Sequence, residues 1–412
     1  SIWQGIGKGQ ILSTWNDYRA YHPIPVGFVH GMNSSPEAWG FKINPGTEKV
    51  TDYAGTSARL KSYFDSYLSY AVDVNGNPVI DPDTGERIPL TYLEPFNYSY
   101  NTFDSIKWNA YEGWEDIWGD VHNGEQHPDH RIPEEVARPT LSLHLEGGEI
   151  FNVGRTREVD ISGILSKYQT SKVNLVAHSL GGVVSRYYIN KTQGSSVKQL
   201  TTLGTPHKGT LSATLAQITV LDPITDPHGD RKVWRIIFLS LFSQMTVDRE
   251  PFMIYELKPS SQFIADLNSS IPAISRYYCI GGVISAGPFV AYTDGFIELV
   301  SALAERRTFL PLVLPKESEI RSILPNYEGR ILVPAILNPL GYLENKHTKL
   351  PNKWEEILRS IDPVGRIEIT EPKDGFSPHQ EGELIVKGRV YDEYLPADCK
   401  VMVWVLREDE LD

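Results

Sequence analysis

The sequence predicts an α/β fold with a mostly parallel sheet, and two observations carry that expectation. Short β-rich runs alternate with stretches of helical periodicity through most of the 412 residues, the signature of βα units packed around one sheet. At "KVNLVAHSLGGVVSRYYI", Lys172 to Ile189, one apolar run passes into another through a tight, glycine-bearing bend, as where a strand turns directly into a helix. The length is sufficient for a large core.

The elements follow in chain order. "IPVGFVHG", Ile24 to Gly31, reads as a buried strand ending at a glycine. "GTSARLKSYFDSYLSY" reads as a helix, because Leu60, Tyr63, Phe64, Tyr67 and Leu68 recur at i, i+3, i+4, i+7 and i+8. "LTYLEPFNYSY", "VNLVAHS", "QLTTLGT", "SRYYCIGGVIS" and "GRILVPAIL" are five further strand candidates. Asn352 is placed to cap a late amphipathic helix through Trp354, Ile357, Leu358 and Ile361.

Two stretches depart from this rhythm. Residues 73–150 are rich in Gly, Pro, Asp, Trp and His with little periodicity and read as a loop-rich insertion. Within them "DVNGNPVIDPDTGERI" carries an Asn-Gly turn signal that suggests a hairpin. A calcium loop there would need Gly at its sixth position and Glu at its twelfth, where Pro78 and Thr84 stand. From Pro363 onward apolar and polar residues alternate between turn clusters, so the chain divides into 1–362 and a short all-β module at 363–412.

Composition narrows the function classes. With 41% hydrophobic and 22% charged residues the chain is ordinary for a globular protein, and no run approaches the ~18 uninterrupted apolar residues of a membrane span. A net charge of −13 without clustered Lys and Arg argues against a nucleic-acid partner. Two cysteines, Cys279 and Cys399, fall in different predicted domains and form no disulfide framework. The absence of a leader before Ser1 reads as a removed signal peptide or a cut from a longer chain.

The bend at Lys172 to Ile189 carries the chemistry. A strand that turns sharply into a helix lifts the residue at the bend above the sheet edge, and here that residue is Ser179. Gly181 and Gly182 permit close strand–helix packing, and the helix N-terminus offers backbone N–H groups to a developing anion. This is a nucleophile elbow of the form Ala-x-Ser-x-Gly, with Ala177 at its first small position.

The elbow, the "FVHGMNSSPEAW" strand end and "LTTLGTPHKGT" together resemble the bacterial and archaeal true lipases of the α/β-hydrolase superfamily over most of residues 20–360. The resemblance implies an α/β-hydrolase fold, with oxyanion N–H donors at Met32 and Leu180. It also implies the order Ser, acid, His, which points to His347 in a late loop and to Asp294 in "YTDGFIELVSA", with Asp222, Asp226 and Asp230 as rivals. His207 precedes any candidate acid and is structural in that family. The C-terminal module resembles the opening half of the Ig-like repeats of exported bacterial and archaeal enzymes, which with the family implies secretion.

The implied reaction is hydrolysis of carboxylic esters, acylglycerols first, at a lipid–water interface through an acyl-Ser179 intermediate, with no cofactor required. A phospholipase, thioesterase or amidase would share the same three residues, and a surface-binding protein with a decayed hydrolase domain is the non-enzymatic alternative. The family carries a lid in the 211–262 region, where Trp234, Ile237, Phe238, Leu241, Phe242 and Met245 form one apolar stripe at helical spacing. A core helix is the other reading of that stripe. Finally, "GDVHNGEQHPDH" sets Asp120, His122, His127, Asp129 and His130 at spacings suited to a structural zinc, as in related lipases that hold zinc in such an insertion; a solvated polar loop reads the same way.

Overall fold

The computed structural model describes residues 24–44, 49–65, 91–99, 105–111, 140–150, 163–211, 252–286, 293–307, 316–333 and 345–361, with shorter strand segments and single positions elsewhere. The predicted helix stripe at 233–245, the metal-ligand candidates Asp120, His122, His127, Asp129 and His130, and the rivals Asp222, Asp226 and Asp230 all lie outside the described residues.

Six strands form the central sheet: β1 (Val26–Val29), β2 (Leu93–Phe96), β3 (Val173–His178), β4 (Val197–Leu203), β5 (Arg276–Gly282) and β6 (Tyr327–Leu332). Their spatial order is β6-β5-β4-β3-β1-β2, and every pairing is parallel. Such strands are covered on both faces, which is why they read as near-continuous apolar runs. In β3 the six residues Val173 to His178 are all buried, with Leu175 and Ala177 in one core cluster and Val176 in the other.

The helices close the two faces. α1 (Gly55–Phe64) and α3 (Trp354–Ile361) bring Leu60, Phe64, Ile357 and Ile361 against Val26, Phe28, Val176 and Ile280. Burial of side chains of this size stabilises the fold by about 1.5–3 kcal/mol each. α2 (Leu180–Thr192) covers the opposite face through Val183, Val184, Tyr188 and Ile189. The expected cap of α3 shifts by one residue: Lys353 accepts the first helical bond from Ile357 at 3.1 Å, because Asn352 is already taken up in a 3-10 turn running from His347.

The stretch at 73–150, expected as a loop-rich insertion, contributes to the body of the fold. It supplies the edge strand β2 and two short helices, Ile106–Ala110 and Leu141–Glu146, whose Ile106, Ala110, Leu141 and Leu145 are wholly buried. The helix at Ile106 is capped by Glu256, whose carboxylate accepts from Ser105 Oγ at 2.7 Å and from the Ile106 N–H at 2.6 Å. Within this stretch Ile80 and Arg87 form an antiparallel bridge, and the Asn75-Gly76 turn of the suggested hairpin lies outside the described residues.

Beyond residue 363, Arg366–Glu371 pairs antiparallel with Lys387–Tyr391. Lys400–Met402 instead runs parallel to Ile2–Gln4, which pairs in turn with Gly9–Ile11. Cys279 is buried as a free thiol.

The strand order itself locates a site. The chain leaves β1 toward the β2 edge and resumes on the other side at β3, so β1 and β3 are neighbours whose connections run in opposite directions. Ligands of open parallel sheets bind outside the carboxyl ends of such a pair. Here those ends are His30-Gly31 and Ser179.

Candidate active site

Ser179 sits between β3 and α2 with φ 53° and ψ −124°, a conformation that costs a non-glycine residue about 1–3 kcal/mol and persists only where its surroundings enforce it. The enforcing contacts are its N–H on Leu203 O at 2.9 Å and its carbonyl, which accepts from Gly182 N–H at 3.1 Å. Helix and sheet approach so closely that a Cβ on Gly181 would lie 2.4 Å from the His30 carbonyl oxygen. Only a bare Cα fits, as the glycine pair in the sequence implies. A parallel sheet with this elbow at the end of its central strand is the α/β-hydrolase fold.

The structure brings Ser179, His347 and Asp294 together. Ser179 Oγ lies 2.8 Å from His347 Nε2, and His347 Nδ1 lies 2.7 Å from Asp294 Oδ2. The proton positions follow from the partners. Asp294 Oδ1 accepts the backbone N–H groups of Phe296 and Ile297 at 3.0 and 2.8 Å, so the carboxylate is an acceptor throughout and His347 donates from Nδ1. Nε2 is then bare and accepts from the serine hydroxyl. Asp294 is fully buried, and its carbonyl also accepts the His347 N–H at 2.9 Å, so acid and base are tied by main chain as well as side chain.

The base is held from further sides. The His178 ring lies 4.6 Å from that of His347 and the Phe296 ring 5.5 Å from it. His178 Nε2 is 3.0 Å from the His347 carbonyl oxygen and donates to it, which fixes the loop carrying the base. Burial, reinforced by the neighbouring His347, pushes the His178 pKa well below the ordinary histidine value and keeps it neutral. His207 is also wholly buried, with Nε2 3.0 Å from Thr202 Oγ1 and a pKa pushed well below normal by burial and by Arg186. It fills the interior below β4 rather than the serine–histidine–aspartate chain.

The two backbone positions expected as oxyanion donors flank the serine. Leu180 is the first residue of α2. Met32 follows Gly31, whose Cα is so near the nucleophile that an added Cβ would stand 3.0 Å from Ser179 Cβ. Among the described residues no group of three or more His, Cys, Asp or Glu side chains is arranged to hold a metal ion.

Sequence reasoning missed several residues on which the site depends. His30 at the end of β1 is completely buried and its pKa is lowered to about 4 by desolvation, against the smaller opposite pull of its bond to Gly31. Tyr98, beyond β2, stacks on it at 4.2 Å. Nothing in the local sequence marks Tyr98, because its neighbour is brought to it only by the pairing of β1 with β2.

Gly204, at the end of β4, opens the "GTPHKG" segment, but its place beside the acid and base is not readable from it. It holds φ +57°, and a Cβ there would stand 2.7 Å from Asp294 Oδ2 and 2.9 Å from His347 Nδ1. Gly204→Ala should therefore lower kcat by ~10²-fold or more and also lower Tm, since overpacking at such a site costs about 1–3 kcal/mol besides the left-handed strain. Ester turnover and a melting curve on the same preparation check this; an unchanged kcat would show that the acid–base pair tolerates displacement.

Comparison with known proteins bears on this arrangement. Residues 155–301 match the model of the palmitoyl protein thioesterase family, a span that includes Ser179 and Asp294 and leaves out Met32 and His347. Proteins named triacylglycerol lipase from Pseudarthrobacter phenanthrenivorans and Burkholderia plantarii are each 33% identical over 85 residues, 21% of this chain and 25% and 23% of theirs. The chain thus spans about a quarter of the length of the curated relatives it matches. The mature lipase BlEst2 of Bacillus licheniformis superposes with a TM-score of 0.37 at 13% identity, covering 83% of this chain and 92% of that one. The fold rests on the strand order and the elbow, not on that superposition.

Proposed function

We propose that the chain is a serine hydrolase of the lipase and esterase type that cleaves carboxylic esters, acylglycerols first, through an acyl-enzyme on Ser179. The observation that carries this reading is the unbroken hydrogen-bonded chain Ser179–His347–Asp294 at the elbow. In it His347 Nε2 takes the hydroxyl proton as Ser179 Oγ attacks the ester carbonyl carbon. The carbonyl oxygen becomes an oxyanion and accepts from the N–H groups of Met32 and Leu180, each donor contributing about 3–4 kcal/mol in systems where one has been removed. The intermediate collapses as His347 passes its proton to the leaving alcohol. Water, deprotonated by the same Nε2, then releases the acid. Asp294 keeps the ring in the tautomer this requires and stabilises the imidazolium.

The acylglycerol substrate is supported by the names of the two lipase relatives, and a lipid–water interface and an extracellular setting belong to the same reading. A thioester substrate is the second reading, favoured by the match to the thioesterase family model, because the triad sets acyl transfer and the pocket sets the substrate. The test begins with a fluorophosphonate probe followed by peptide mass spectrometry. Label on Ser179 is expected, and an unlabelled Ser179 in folded protein would leave the non-enzymatic alternative. On the same preparation kcat/KM is compared for an acylglycerol, a phospholipid, an acyl thioester and an amide. A preference for the thioester would overturn the acylglycerol assignment while leaving the serine mechanism.

A further inference from the structure

The demand on the oxyanion strand is unusual. Gly31 is crowded by the nucleophile and the His178 ring: an added Cβ would stand 3.0 Å from Ser179 Cβ and 3.1 Å from His178 Nδ1, tight enough that a neighbour would have to give way. A glycine leaves its flanking peptide planes free to turn, however, and the plane that follows it carries the Met32 N–H. An oxyanion donor is useful only when it is already aimed before charge develops. Something must therefore hold the Gly31–Met32 peptide.

We infer that His30 is a positioning residue of the oxyanion hole: its Nδ1–H grips the Gly31 carbonyl and thereby aims the Met32 N–H at the reacting carbonyl oxygen, with Tyr98 setting the tautomer. This rests on the hydrolase reading above. His30 Nδ1 lies 3.0 Å from Gly31 O, and that oxygen belongs to the same peptide unit as the Met32 N–H. In a planar trans peptide C=O and N–H point in opposite directions, so fixing one fixes the other. Donation to the carbonyl also polarises the unit and strengthens its N–H as a donor.

The direction of that bond is set from β2. The Tyr98 backbone N–H donates to His30 Nε2 at 3.2 Å, so Nε2 is bare and the ring proton sits on Nδ1. Tyr98 Oη–H donates to the His30 carbonyl oxygen at 2.5 Å, holding the preceding peptide plane, and its ring stacks on the imidazole at 19°. Two consecutive planes leading to Met32 are thus clamped by side chains that never reach substrate. Both ring nitrogens are engaged, Nδ1 on the Gly31 carbonyl and Nε2 by the Tyr98 N–H.

The test compares His30→Phe, which keeps the stack and removes both nitrogens, with His30→Asn, whose side-chain amide N–H can stand where Nδ1–H does. Measured are kcat and KM on a soluble ester, the inhibition constant of an alkyl boronic acid whose tetrahedral adduct puts an oxygen in the hole, and Tm. His30→Phe should lower kcat about 30-fold, short of the ~10²–10³-fold of deleting a donor outright, with KM within about twofold. The boronic acid should weaken by a similar factor, and His30→Asn should recover most of both. A kcat within about threefold of wild type in folded His30→Phe, a loss confined to KM, or an Asn variant as poor as Phe at equal Tm would overturn the inference. Should neither variant fold, ¹⁵N spectra of the histidine-labelled wild-type protein decide: a proton on Nδ1 of His30 supports the clamp, and a proton on Nε2 sinks it. Ser179→Ala measured alongside separates the two levels. If that variant is inactive and His30→Phe is not, only the clamp falls; if Ser179→Ala stays active, the hydrolase reading falls and takes the clamp with it.

Discussion

Replacing Ser179 with alanine lowers turnover of a short p-nitrophenyl ester by ~10⁴-fold or more, with Tm within a few degrees of wild type. The size follows from the residue's place at the head of a hydrogen-bonded chain that works as a unit. Without the hydroxyl, His347 has no proton to take and Asp294 no imidazolium to stabilise, so adding His347→Ala to the serine variant should cost almost nothing further. Stability is spared because alanine adopts the same strained φ of 53° and leaves the backbone bonds of the elbow in place. A Ser179→Ala protein retaining a tenth of the activity would remove the serine from the chemistry, and strictly additive losses in the double variant would mean that serine and histidine act separately.

The second large effect is on stability. Four histidines resist protonation in the folded chain, His30, His178 and His207 buried and His144 half-buried with its Nε2 enclosed: desolvation lowers the pKa of His30 and of His144 to about 4 and those of His178 and His207 well below the ordinary value. In the unfolded chain each titrates near 6.5, so below that pH the unfolded state binds protons that the folded state does not. Stability is therefore complete above about 6.5 and falls as the pH drops toward about 4. For His30 and His144 the difference amounts to about 3 kcal/mol each, a large share of the about 5–15 kcal/mol by which domains are stable. Urea midpoints should decline steadily over that interval, and less steeply for His144→Phe, which removes one of the four sites. A midpoint constant from pH 7 to 4 would mean that these rings take up protons without unfolding.

Much of the sheet was legible because parallel strands covered on both faces write themselves as apolar runs. All six strand candidates, from "IPVGFVHG" to "GRILVPAIL", appear in the central sheet. The elbow was legible for a different reason: a sharp strand-to-helix bend needs small residues at fixed short spacings, and Ala177, Gly181 and Gly182 supply them within a few positions. His347 and Asp294 were pointed to by the family resemblance, and in the structure His347 is hydrogen-bonded to Ser179 and Asp294 to His347.

What stayed hidden depends on contacts distant in sequence. The β2 strand was read as a strand, yet its setting among Gly, Pro and Asp suggested a loop-rich insertion; its pairing with β1, register Val26 to Leu93, places it in the sheet. Tyr98 carries no local mark at all, since it matters through His30, and Gly204, though it opens the "GTPHKG" segment that marks the resemblance, gives no local sign of the space it leaves for Asp294 and His347. The shift of the α3 cap from Asn352 to Lys353 has the same origin: the 3-10 turn that delivers His347 to the serine uses up the residue that local preference would choose.

The Thr210 N–H donates to the Leu257 carbonyl at 2.9 Å, and Thr210 Oγ–H donates to the carbonyl of Phe296, the residue whose ring flanks His347. This clasp joins the two ends of the segment between 210 and 257 beside the reactive histidine. The described residues just inside that clasp are themselves part of the core, with Ala213 and Met253 buried and Glu256 capping the helix at Ile106, so the clasp anchors Phe296, and through its ring the reactive histidine, to the body of the fold.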